Sequence, residues 1–174
     1  QDFATLEFYT GNNWATVNTF IEIQNSPGNR GRGVFAGGRI PSDTATIDFI
    51  NIATLGNALN FGELITARTD CSGMSNEIRG IWAGGKDPNV STHIDYVTMA
   101  SEGNGVDFGD VAPAACGGSG AGASSSTRGV FALGQAPGTT DALSFLQIMT
   151  TGNSVDFGDL TGGLSEGAGC CLLY

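Results

Sequence analysis

Lys86 is the only lysine in the chain, and lysine and arginine together number 7 against 17 aspartates and glutamates, for a formal net charge of −10. A continuous basic track along a phosphate backbone cannot be assembled from so few cations, which excludes nucleic acid as a partner. Apolar runs are only a handful of residues long, and Gln1–Tyr9 carries neither a basic stretch nor an apolar core of the kind a signal peptide needs. No membrane insertion and no signal peptide are therefore legible. Histidine is as scarce as lysine: His93 stands alone. It has no cysteine or histidine at zinc spacing, no serine or cysteine nucleophile is paired with it, and a copper-oxidase ligand set is missing. We expect no enzyme and no cofactor. Apolar residues at i, i+3, i+4 and i+7 between capping residues are absent too, so no helix is expected.

Glycine, by contrast, is abundant, at 28 of 174 residues, roughly twice its usual share. Leucine, isoleucine, valine and phenylalanine suffice for a core, and the length suits one domain or one small array. The array is visible directly. Arg32-Gly33-Val34-Phe35-Ala36-Gly37-Gly38 returns as Arg79-Gly80-Ile81-Trp82-Ala83-Gly84-Gly85 and as Arg128-Gly129-Val130-Phe131-Ala132-Leu133-Gly134. A second block follows each: Ile47–Ile52, Ile94–Met99 and Leu143–Ile148. A third block runs Gly56–Glu63, Gly103–Asp110 and Gly152–Asp159. All three blocks shift together, by 47 and then 49 residues, and the two extra residues fall in the Ala-, Gly- and Ser-rich stretch between Asp110 and Arg128.

Each block has the pattern of a strand. The second alternates Ile47, Phe49 and Asn51 on one face with Asp48, Ile50 and Ile52 on the other, which predicts an interior strand packed between neighbouring sheets. The Gly-Asn pair of the third block suits a tight turn, and the closing Gly pair of the first suits a sharp bend or a close approach of backbone. The segments before each Arg (Thr66–Ile78, Ala112–Thr127 and Thr161–Tyr174) have room for a fourth strand. The expected fold is all-β: three repeats of about 48 residues (32–78, 79–127 and 128–174) forming antiparallel, propeller-like sheets, after an N-terminal hairpin or linker in residues 1–31. A three-sheet prism or trefoil with pseudo-threefold symmetry is the alternative.

The string Arg-Gly-Val-Phe-x-Gly-Gly, then Ile-Asp-Tyr/Phe-x-x-Ile, then Gly-Asn-x-x-Asp-Phe-Gly-Asp resembles the kelch-like repeat arrays of structural proteins of tailed bacteriophages, notably cyanophages. The resemblance covers residues 32–174. Leu6-Glu7-Phe8-Tyr9-Thr10-Gly11-Asn12-Asn13-Trp14 is similar to a short element that often precedes such modules in phage fibre proteins. The third repeat departs from the pattern at Leu133, in place of glycine, and at Ser144, in place of aspartate. The resemblance implies a non-enzymatic virion structural protein, a fibre, appendage or decoration subunit at the particle surface. It would meet other virion proteins and host-surface glycans. A secreted bacterial adhesin or filament subunit is the alternative.

Arg32, Arg79 and Arg128 open every repeat and are expected to act as struts between units, pairing with a carboxylate of a Phe-Gly-Asp/Glu segment or capping a neighbouring strand. Phe61, Phe108 and Phe157, like Phe35, Trp82, Phe131, Phe49, Tyr96 and Phe145, recur in register and are expected in the core. Asp107 with Asp110, and Asp156 with Asp159, have a spacing that calcium ligands also use, but turn capping is the simpler reading and no metal is expected. The Asp-Phe-Gly string lacks every companion of a kinase site. His93 is expected to start a strand facing solvent. Cys71, Cys116, Cys170 and Cys171 are expected as buried thiols rather than a disulfide framework. Cys170–Tyr174, the most apolar run, should be buried against the first repeat, the N-terminal strands or another subunit, and a homotrimer is expected.

Overall fold

β-Branched and aromatic residues with period-two alternation turn each repeated block into one strand. A computed structural model describes residues 6–9, 14–17, 31–112, 121–134, 138–164 and 167–171. The first pair of strands is β1 (Leu6–Tyr9) and β2 (Trp14–Val17), antiparallel with Tyr9 opposite Trp14. Residues 10–13 between them lie outside the described residues. The first sheet is a meander of β3 (Arg32–Ala36), β4 (Thr46–Asn51) and β5 (Leu59–Glu63). The second comprises β6 (Ser72–Ser75), β7 (Arg79–Ala83), β10 (His93–Thr98) and β11 (Val106–Asp110), with a small ribbon of β8 (Lys86–Asp87) and β9 (Asn89–Val90) between β7 and β10. The third comprises β12 (Gly122–Ser124), β13 (Arg128–Ala132), β14 (Thr140–Gln147) and β15 (Val155–Leu164).

The protein is thus all-β, with one antiparallel sheet per repeat and no helix among the described residues. Register repeats as well: Arg32 faces Asn51, Arg79 faces Thr98 and Arg128 faces Gln147. The strand ahead of Arg79 and that ahead of Arg128 join the sheets those arginines open, with Met74 opposite Ile81 and Ala123 opposite Val130. Sheet boundaries therefore run one strand ahead of the repeat boundaries read from Arg to Arg.

The sheets pack face to face, because alternate side chains of a strand point to opposite neighbours. Ile81, Ala83 and Ile94 of the second sheet join Phe131, Leu133, Leu146 and Ile148 of the third in one buried cluster. Trp82 and Val97, on the opposite face of the second sheet, join Ile47, Phe61 and Leu64 of the first in another. We call the face of a sheet that meets the next unit its front and the opposite face its back.

Two expectations about burial need correction. Phe35 is 60 % exposed and Phe157 49 % exposed, whereas their repeat counterparts Trp82, Phe131, Phe61 and Phe108 are buried. Phe35 lies on the back of the first sheet and Phe157 on the front of the third, where no neighbouring sheet follows among the described residues. Cys170 and Cys171 are exposed thiols and Cys71 is only partly buried. The segment bearing Cys170 and Cys171 rests on the third sheet through Gly169, where an added Cβ would strike the backbone of Gly122. Cys116 and Leu172–Tyr174 lie outside the described residues.

Candidate functional site: the joints between sheets

The residues repeated in every unit converge on the joints between sheets. In each sheet the pairing slips by one residue at the same place: Ile47 faces Gly62 but Asp48 faces Asn60, Ile94 faces Gly109 but Asp95 faces Asp107, and Leu143 faces Gly158 but Ser144 faces Asp156. The extra residue of each bulge is Phe61, Phe108 or Phe157. Each ring meets an aromatic of its own sheet edge to face, Phe49, Tyr96 and Phe145 respectively, with centroids 5.9, 5.9 and 6.0 Å apart.

The glycines after the first two of these rings, Gly62 and Gly109, are points of close approach between units. An added Cβ on Gly62 would collide with the Gly103 carbonyl, and one on Gly109 with the main chain of Gly152. That contact seats the Gly-Asn turn of the next unit on the bulged strand. The Gly103 N–H donates to the Phe61 carbonyl at 2.8 Å and the Gly105 N–H to Glu63 at 2.7 Å; at the second joint Gly152 donates to Phe108 at 2.7 Å and Ser154 to Asp110 at 2.9 Å. The amide side chain of the turn closes the lock, since Asn104 Oδ1 accepts from the Glu63 N–H and Asn153 Oδ1 from the Asp110 N–H. Sequence reasoning identified Gly-Asn as a turn without seeing this role; recurrence of the asparagine in all three units was the available signal.

The arginines span the other side of the joints. Arg32 Nη1 donates to the Met99 carbonyl at 2.9 Å, and Arg79 Nη1 to the Ile148 carbonyl at 3.0 Å, each in the following unit. Within their own sheets the three guanidinium groups stack on Phe49, Tyr96 and Phe145, 4.7, 4.3 and 4.7 Å from the ring centroids. The acceptors across the joint are main-chain carbonyls at the end of a strand rather than the carboxylates of the Phe-Gly-Asp/Glu segments. Arg128 is exposed and has no hydrogen-bond acceptor among the described residues.

One charged pair is confined to the first joint. Arg68 is fully buried, its Nη2 3.2 Å from Asp95 Oδ2 and 3.2 Å from the Trp82 carbonyl it donates to. Asp95 Oδ2 also accepts from the Ile65 N–H. The linker holding Arg68 is threaded between two glycine pairs, for an added Cβ on Gly37 would strike the Arg68 carbonyl and one on Gly85 the Thr69 carbonyl. At the second joint Ser144, the counterpart of Asp95, donates its hydroxyl to the Ala112 carbonyl, as does Ser154. The same position thus anchors the linker in both joints, once with an ion pair and once with hydroxyls.

The remaining candidates lie at the surface. The Asp110 carboxylate accepts from the Thr92 hydroxyl at 2.9 Å, and His93 Nδ1 lies 3.8 Å from it at the exposed start of β10. Asp107, Asp156 and Asp159 are exposed. Among the described residues no three His, Cys, Asp or Glu side chains are grouped to hold a metal ion. A cleft of about 290 Å³ opens where the strand edges of the three sheets converge, lined by Arg32 and Trp82 and by Gly73, Gly122 and Gly169 with their neighbours. Those three glycines stack, an added Cβ on Gly122 meeting the backbone of Gly73 as one on Gly169 meets Gly122. No protein-family model and no curated protein sequence matches the chain.

Proposed function

We propose that the protein is a non-enzymatic structural component of a bacteriophage particle, a fibre, appendage or decoration subunit at the virion surface. The observation that carries this reading is where the repeated residues go. Arg32, Arg79, Phe61, Phe108, Asn104 and Asn153 are spent on joining one sheet to the next, as an architectural repeat requires. The resemblance of the same motif to kelch-like repeats of phage structural proteins supplies the setting. A net charge of −10 with one lysine suits an exterior that must not adhere to packaged or released nucleic acid. Other virion proteins are the partners, and the loops between strands present hydrogen-bonding groups to host-surface glycans. The test is immunogold labelling of particles purified from lysates of cells that encode the protein. Gold at a fixed place on the particle is the expected result, and unlabelled particles alongside free antigen would overturn the reading.

A further inference from the structure

We infer that the back of the first sheet and the front of the third are two halves of one more joint, formed head to tail between two copies of this chain. The inference stands on the joints and not on the virion reading. At both internal joints the front of a unit offers a buried aromatic at the bulge, a bare glycine beside it, and an arginine. The back of the next unit offers a Gly-Asn turn, a strand-end carbonyl and an apolar row. The third sheet holds the complete front half: Phe157 is 49 % exposed, Gly158 would meet nothing within 4 Å if given a Cβ, and Arg128 has no acceptor among the described residues.

The first sheet holds the matching back half. Gly56 and Asn57 match Gly103 and Asn104, Ile52 matches Met99, whose carbonyl takes Arg32, and Phe35 and Ile50 match Trp82 and Val97. Gly56, Asn57 and Ile52 are exposed, and Phe35 is 60 % exposed. Continuity with the two joints already formed selects a second copy as the occupant: the first sheet carries the same back-face residues that meet the fronts at both formed joints, and the third sheet the same front-face residues. In the joint between copies, the Gly56 N–H meets the Phe157 carbonyl, Asn57 Oδ1 meets the Asp159 N–H, and Arg128 meets the Ile52 carbonyl. Such a contact is heterologous, so each added copy leaves one of each face free and association continues past two copies.

The test is sedimentation velocity on the full chain, on Phe35→Glu, on Phe157→Glu and on an equimolar mixture of the two variants. Each substitution puts a charge where an apolar ring must be buried, at a site exposed in the single copy. The expected result is a wild-type mass that rises with concentration and two variants that stay at 17.8 kDa. Their mixture gives a complex of two copies and nothing larger, because the intact front of Phe35→Glu meets the intact back of Phe157→Glu. Circular dichroism and the melting temperature check that the variants fold. Asn57→Ala and Arg128→Ala, each removing one matched group from an exposed position, weaken association roughly tenfold apiece. Three results would overturn the inference: a wild-type protein that stays monomeric as concentration rises, which is also the outcome if these faces serve only further repeats; variants that associate as the wild type does; and a mixture that remains monomeric while the wild type associates.

Discussion

Arg79 reaches 69 residues along the chain to the carbonyl oxygen of Ile148, 3.0 Å from its Nη1, while its guanidinium lies 4.3 Å over the ring of Tyr96 in its own sheet. One side chain thereby ties a strand's aromatic to the end of a strand in the next unit. Arg32 makes the same connection to Met99, and among the described residues Arg128 makes only the half of it that its own sheet provides.

This difference predicts unequal costs for the same substitution. Arg79→Ala loses a hydrogen bond across the joint and a stacked cation and should cost about 1–3 kcal/mol in urea denaturation. Arg128→Ala, at an exposed site with stacking alone, should cost under about 1 kcal/mol when measured on the monomer. Equal losses would remove the strut.

A methyl group should distinguish the glycines just as clearly. Gly109→Ala drives a Cβ into the main chain of Gly152, so the joint must open, whereas Gly158→Ala meets open space. Both carry positive φ, +144° and +130°, and share the backbone strain of about 1 kcal/mol. The excess loss of stability in Gly109→Ala over Gly158→Ala, read from thermal melts of dilute protein, measures the clash between units.

Asp95→Ala should be among the most damaging single changes, because it leaves the fully buried Arg68 without its carboxylate. Breaking a buried pair from one side costs on the order of 3–5 kcal/mol. The double variant Arg68→Leu with Asp95→Ser, which copies the hydroxyl found at the second joint, should recover much of that loss in chemical denaturation. No recovery would mean that the pair does more than anchor the linker.

Burial pushes the Cys71 thiol above its ordinary value of about 9, against the opposing pull of the Arg68 charge. A raised folded-state value favours the protonated form, so the stability linked to Cys71 is fully present below the unfolded value and is lost as pH rises through the folded one. Alkylation mapped by peptide mass spectrometry near pH 8 should label Cys170 and Cys171 well before Cys71. Cys71→Ser should flatten the fall in stability at alkaline pH.

The strands were legible because period-two alternation and the recurrence of three blocks act locally, whereas the bulge at each Phe-Gly was not, because the slip shows only in the pairing with the neighbouring strand. The turn at Gly-Asn was legible as the strands were, but its partner was not: that Asn104 bonds Glu63 depends on how sheets stack, which no single repeat contains. Arg68 was missed because it lies in a linker outside the repeated blocks. Its signal lay at the partner position, Asp95 in the second repeat against Ser144 in the third, since a carboxylate there asks for a cation in the linker before it. The exposure of Phe35 and Phe157 escaped a reading that assigned one role per repeat position, because a residue's burial in an array depends on whether a neighbour follows.

The central claim, that one repeated set of residues builds every joint, is tested most directly by amide hydrogen exchange at Glu63, Asp110 and Asp159 in dilute monomer. These occupy the same repeat position, and the first two donate to Asn104 and Asn153 of the next unit. The account predicts slow exchange at Glu63 and Asp110 and fast exchange at Asp159, which lacks a following Gly-Asn turn among the described residues. Fast exchange at all three, or protection at Asp159 equal to the other two in the monomer, would contradict it.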